Sequence, residues 1–165
     1  MALLAPTSHE YRPGAKLPIY RPVETNVAAA TIVFVHGGGW ANGNPEQLER
    51  HCRYYADQGF VAISLDYRLT REPGVTVADC VADVTAGLRW IREQAGELGI
   101  DPKRIVLAGE SAGGQLAYCA SLSENMTPAS RCNLPGRSAM RLRCAWSNRV
   151  NTGHWRAFYW KKSFS

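Results

Sequence analysis

Nowhere in its 165 residues does the chain hold the run of about 18 apolar residues that a membrane-crossing helix needs. Its opening, Met1-Ala2-Leu3-Leu4-Ala5-Pro6, puts no basic residue ahead of a short apolar part, which is unlike a secretory leader. The five cysteines, at 52, 80, 119, 132 and 144, are an odd set with no C-x-x-C or Cys/His cluster. Neither a zinc site nor a disulfide framework is expected from that spacing. Reduced thiols in a cytoplasmic protein are the expectation. Neither G-x-x-x-x-G-K-S/T nor G-x-G-x-x-G occurs, so no phosphate cradle, cofactor or metal is implied.

Acidic residues are missing from one end. All 14 of them fall at or before Glu124, whereas Arg131, Arg137, Arg141, Arg143, Arg149, Arg156, Lys161 and Lys162 follow it. The net charge of +5 thus belongs to the last quarter alone. Such a break divides the chain at about residue 125, into 1–125 and a basic, irregular 126–165. The basic part also holds Trp146, Trp155 and Trp160. Its cations are scattered, without a helical face or a recognised binding module, so no nucleic-acid partner is expected.

In the first 125 residues the pattern is regular. Residues 1–30 read as loop covering a sheet edge. Thr31–Val35, Phe60–Leu65 and Ile105–Ala108 are short apolar, β-branched runs that read as buried parallel strands. Asn44 followed by Pro45 starts a helix with Leu48, Cys52 and Tyr55 at helical spacing, and Gly59 ends it. Thr76 with Asp79 fits a capping box opening a helix from Val77 to Glu97, whose apolar stripe is Val77, Val81, Val84, Leu88 and Ile91. Asp79 and Asp83 fall off that stripe and read as a solvated face. Gly99 and Asp101-Pro102 turn the chain into the next strand. The alternation predicts an α/β fold, a partial doubly wound and mostly parallel sheet.

Two glycine-rich segments stand at strand ends. Gly109-Glu110-Ser111-Ala112-Gly113-Gly114 sits between the Ile105 strand and a helix over Gln115–Leu122, the setting of a nucleophile elbow. His36-Gly37-Gly38-Gly39-Trp40 follows the Thr31 strand, where glycines let backbone N–H groups approach a ligand closely. With these, Asp66-Tyr67-Arg68-Leu69 and the lead-in Gly99-Ile100-Asp101-Pro102-Lys103-Arg104-Ile105, the chain resembles the α/β-hydrolases, in particular the hormone-sensitive-lipase-like esterases. The likeness runs from about Ile19 to about Ser123.

The resemblance implies a serine carboxylesterase or lipase acting on small or medium acyl esters. Ser111 is then the nucleophile, and the N–H groups of Gly38, Gly39 and Ala112 form the oxyanion hole. His36 shapes the glycine loop, Trp40 lines the ester pocket or packs the core, and Asp66-Tyr67-Arg68 is structural. In this fold the triad acid and histidine follow the serine in sequence. After Ser111 the only acid is Glu124, expected on the far side of the elbow helix, and the only histidine is His154 in the basic segment. Residues 126–165 therefore read as something other than the family's continuation, as a shifted reading frame would give. Two further functions follow: an inactive fragment without a complete triad, and a binding protein using the basic aromatic segment. An elbow strand without later strands beside it would expose an apolar edge and invite self-association.

Overall fold

The computed structural model describes residues 5–23 and 29–124. The basic segment 126–165, with His154, Cys132 and Cys144, lies outside the described residues.

The N-terminal segment differs from its reading as loop. It forms an antiparallel hairpin, β1 (Thr7–Arg12) and β2 (Ala15–Tyr20), in register from Thr7↔Ile19 to Arg12↔Ala15. Gly14, at φ +76°, makes the turn after Pro13. Ala15, Leu17 and Ile19 are buried and alternate with Lys16 and Pro18, the period of a half-buried strand. Pro18 masked that period, because proline donates no ladder hydrogen bond. The hairpin does cover a sheet edge, through Ile19↔Ile63 and Tyr20↔Ala62.

The sheet is completed by β3 (Ala29–Val35), β4 (Val61–Leu65) and β5 (Ile100–Gly109), in the order β1-β2-β4-β3-β5. β3 is parallel to both β4 and β5. Helices cover both faces, as a doubly wound sheet requires. Ile32 and Phe34 join Leu48, Cys52 and Tyr55 of the α1 side, where α1 spans Glu49–Asp57. Val33 and Val35 point the other way, into a cluster with Val84, Leu88 and Ile91 of α2 (Val77–Glu93) and Leu116 of α4 (Ala112–Ser123). Each of the aliphatic and phenylalanine side chains among them contributes roughly 1.5–3 kcal/mol by leaving water.

Helix boundaries follow local chemistry. Asn44 caps a short 3-10 turn, Pro45–Leu48, by accepting from the Gln47 N–H, and α1 continues from it. The Thr76/Asp79 capping box forms in full at the head of α2. The helix expected to reach Glu97 breaks at Gln94, whose N–H turns to the Trp90 and Arg92 carbonyls; α3 (Ala95–Leu98) follows, and Gly99 at φ +61° stops it. The Asp101-Pro102 turn lies inside β5. Its pairing with β3 jumps from Ala29↔Ile100 to Thr31↔Ile105, and Asp101 accepts from the Lys103 N–H at 2.8 Å.

Asp83 corrects the sequence reading. Only Asp79 stands on a solvated face; Asp83 is buried at 3% exposure. Its carboxylate accepts from Arg12 Nη2 (2.9 Å) and from Arg68 N, Nε and Nη2 (2.9, 2.9 and 2.8 Å). These contacts hold hairpin, α2 and the chain after β4 together.

Among the described residues β5 is one edge strand of the sheet and β1 the other. Val106, Leu107 and Ala108 are partly exposed, whereas Val33, Val35, Ile63 and Leu65 on the inner strands are fully covered. Among the described residues no strand pairs with the outer side of β5.

Candidate active site

The C-terminal ends of β3 and β5 stand side by side, because the parallel register pairs Val35 with Gly109. His36 and Glu110 are therefore neighbours, and the glycine loop and the serine turn leave the sheet together. Glu110 N–H donates to the Val35 carbonyl at 3.3 Å, closing the pair.

Ser111 has φ +53° and ψ −118°, a conformation that costs a non-glycine residue of order 1–3 kcal/mol. It is exposed, while Ala112, Gly113 and Gly114 behind it are buried. The sharp bend explains its glycines. A Cβ on Gly109 would lie 2.5 Å from Gly114 N, and one on Gly113 would strike the Val35 and His36 carbonyls. The Ser111 carbonyl accepts from Gly114 and Gln115, so α4 starts immediately after the serine. Ala112 is its first residue, and a helix's first N–H groups have no intrahelical acceptor.

The loop touches this turn. A Cβ on Gly37 would stand 2.8 Å from the Glu110 carbonyl oxygen and 3.5 Å from Ser111 Cβ. The next two residues, Gly38 at φ +122° and Gly39 at φ +62°, are exposed. The Gly38 carbonyl is held inside the loop by the N–H groups of Asn42 (3.0 Å) and Ala41 (3.3 Å). Trp40 is a second non-glycine residue at positive φ, +62°; its carbonyl accepts from the Thr70 N–H at 2.9 Å. Its ring packs partly buried against the core, with its N–H unpartnered among the described residues. The structure thus brings Ser111, Ala112, Gly38 and Gly39 to one end of the sheet.

His36 lies beneath the loop, fully buried. Its Nδ1 is 2.9 Å from the Gly37 carbonyl oxygen, which can only accept, so Nδ1 carries the proton in that contact. Its ring stacks on Tyr67 at 4.3 Å, and Nε2 is 3.8 Å from Asp66 Oδ1. His9 is on β1, four strands or about 19 Å across the sheet from β5. Glu124 lies at the far end of α4, about 20 Å along the helix from Ser111, and accepts from Arg89 Nε and Arg92 Nη1. His154 lies outside the described residues.

One imidazole near the turn was missed in the sequence. His51, on α1, has its ring 6.2 Å from that of Phe34. Burial lowers its pKa, and the Glu110 carboxylate opposes that shift. No local spacing signals a partnership across so many residues.

A sheet that is parallel across β4, β3 and β5 and covered on both faces, with a strained exposed serine where β5 enters α4, defines an α/β-hydrolase. The chain belongs to the BD-FAE family, which matches residues 17–141. That match continues beyond residue 125, where the composition changes. Among curated relatives, carboxylesterase NlhH of Mycobacterium tuberculosis is 37% identical over 110 residues, covering 66% of this chain and 34% of the relative. The probable isoprenylcysteine alpha-carbonyl methylesterase ICME of Oryza sativa subsp. japonica is 33% identical over 113 residues, covering 68% and 27%. A solved thermophilic esterase of Thermogutta terrifontis superposes with TM-score 0.66 and 43% identity, covering 69% of this chain and 43% of the esterase. The same esterase has been seen phosphorylated by paraoxon. The chain spans about a third or less of these curated relatives and under half of the solved esterase.

Proposed function

We propose that the chain carries the nucleophile and oxyanion half of a serine carboxylesterase for small or medium acyl esters. The observation that carries this reading is Ser111, exposed at φ +53° with the glycine loop against it. Ser111 Oγ attacks the ester carbonyl carbon. The carbonyl π electrons move to oxygen, which the N–H groups of Gly38, Gly39 and Ala112 receive. One such donor is worth about 3 kcal/mol in the transition state. Collapse expels the alkoxide and leaves an acyl-serine, which water then hydrolyses. The reaction needs no cofactor.

The Oγ proton must go to a base, and among the described residues neither His36 nor Glu124 is placed to take it, which favours a second reading, an inactive fragment. His36 is sealed under the loop, and Glu124 is engaged with two arginines at the wrong end of α4. Loss of triad members costs about four to six orders of magnitude in serine proteases. Hydrolysis of p-nitrophenyl acetate by the full chain, beside Ser111→Ala, separates the two. A faster wild type, with paraoxon adding one phosphoryl group at Ser111, supports catalysis. Equal rates with no adduct leave the inactive fragment.

The β5 edge supports self-association in solution. Free thiols at Cys52, Cys80 and Cys119 support a reducing, cytoplasmic setting.

A further inference from the structure

Tyr67 is buried, with 2% of its surface exposed, and sits in the chain after β4 rather than in either glycine-rich segment. Its hydroxyl donates to the His36 carbonyl at 3.0 Å. That carbonyl belongs to the peptide joining β3 to the glycine loop, so its direction fixes the opposite direction of the Gly37 N–H. It is also one of the two carbonyls against which Gly113, in the first turn of α4, packs too closely for a Cβ. One hydroxyl therefore grips the place where glycine loop, strand end and serine-bearing helix meet. The Tyr67 ring stacks on the His36 imidazole with 14° between the planes, so ring and hydroxyl of Tyr67 hold His36 at side chain and backbone.

Tyr67 is in turn held. Its N–H donates to Asp66 Oδ1 at 2.9 Å, and the Asp66 carbonyl accepts from Tyr11 Oη at 2.8 Å. The next residue, Arg68, is fixed by Asp83 through three nitrogens. Burial raises the Tyr67 pKa, and the charges of Cys80 and Asp66 act in the same direction. The phenol accordingly keeps its proton and remains a donor throughout the working pH range.

We propose that Tyr67 is a positioning residue: its hydroxyl sets the glycine loop on the elbow helix, and so aims the Gly38 and Gly39 N–H groups at the ester oxygen. The part concerning the ester rests on the esterase reading above; the part concerning the loop does not.

The test uses the full chain with Tyr67→Phe, which keeps the stacked ring and removes only the hydroxyl. The control is Thr85→Val, which removes another hydroxyl bound to a backbone carbonyl, within α2. Amide exchange followed by NMR reads the loop through the Asn42 N–H, bonded to the Gly38 carbonyl, and reads the sheet through Val33 and Ile63. Tyr67→Phe should speed Asn42 exchange about tenfold relative to Val33 and Ile63, and Thr85→Val should not. In p-nitrophenyl acetate hydrolysis, Tyr67→Phe should lower kcat about tenfold at unchanged KM, because only the transition state loses an interaction. Unchanged Asn42 exchange, equal acceleration of all three amides, or the same loop effect from Thr85→Val would each overturn the assignment. If wild type is no faster than Ser111→Ala, the esterase reading fails, and the exchange measurement still decides the role of Tyr67.

Discussion

Gly37 and Ser111 lie in contact across the ends of two parallel strands: a Cβ on Gly37 would stand 3.5 Å from Ser111 Cβ and 2.8 Å from the Glu110 carbonyl oxygen. The second distance is too short for carbon against a backbone oxygen, and neither side is a flexible side chain. Gly37→Ala must push the loop off the serine turn. Overpacking of this kind costs about 1–3 kcal/mol. A thermal melt should show a loss of several degrees, whereas Gly96→Ala, where a Cβ meets nothing within 4 Å, should show no comparable loss.

Asp83 ties three parts of the fold together, and its removal leaves two guanidinium groups facing a carboxylate-sized gap. Breaking a fully buried ion pair costs about 3–5 kcal/mol, but the arginine side chains here are 29% and 37% exposed, so about 2 kcal/mol is expected for Asp83→Ala. Denaturant unfolding measures it. Asp79→Ala should cost about 1 kcal/mol, through the lost capping box. Equal losses would mean that Asp83 does not hold hairpin to helix.

His51 should make the fold acid-sensitive. Burial lowers its pKa from 6.5, so between the lowered value and 6.5 the unfolded chain binds more protons than the folded one. Its stabilising contribution is present above 6.5 and is lost as the pH falls through the folded-state value. His51→Gln should therefore lose less Tm than wild type between about pH 7.5 and 5. A parallel decline in both proteins would remove His51 as the cause.

Burial, with the Glu49 carboxylate adding to it, pushes the Cys52 thiol up to about 12. Little thiolate is present at neutral pH, and the thiolate is the reactive form. Peptide mapping after iodoacetamide should find Cys52 unmodified in the native protein and modified once it is unfolded. Labelling of native Cys52 at the rate of a free thiol would contradict its place between α1 and the sheet.

Among the described residues nothing pairs with the outer side of β5, an apolar edge with no charge or proline between Ile105 and Gly109 to blunt it. Light scattering should show mass rising with concentration, and Val106→Lys should suppress the rise without a large change in Tm. A wild type that remains monomeric over a wide concentration range would dismiss the self-association.

Much of the fold was legible because the signals were local. The strands β3 and β4 and the C-terminal half of β5 are continuous apolar runs, and the caps at Asn44 and Thr76 are side-chain contacts within three residues. The hairpin was missed where Pro18 interrupts the alternation that Leu17 and Ile19 establish. Asp83 was misread for a different reason. Helical periodicity shows that it leaves the apolar stripe, but only the approach of Arg12, 71 residues away, makes that side an interior.

The sequence alone determined the two tight backbone segments. Glycines at 38 and 109 are demanded by steric limits acting within the turns, against Asn42 and Gly113, whereas those at 37 and 113 are demanded where the two segments meet. Tertiary structure decided that the segments meet. Val35 is paired with Gly109 by a parallel register that follows from burying both faces of the sheet, and nothing near either residue encodes it. The same long-range packing seals His36 away from Ser111 and puts Tyr67 against the His36 carbonyl, because such contacts exist only after α2 and α4 have closed over β3.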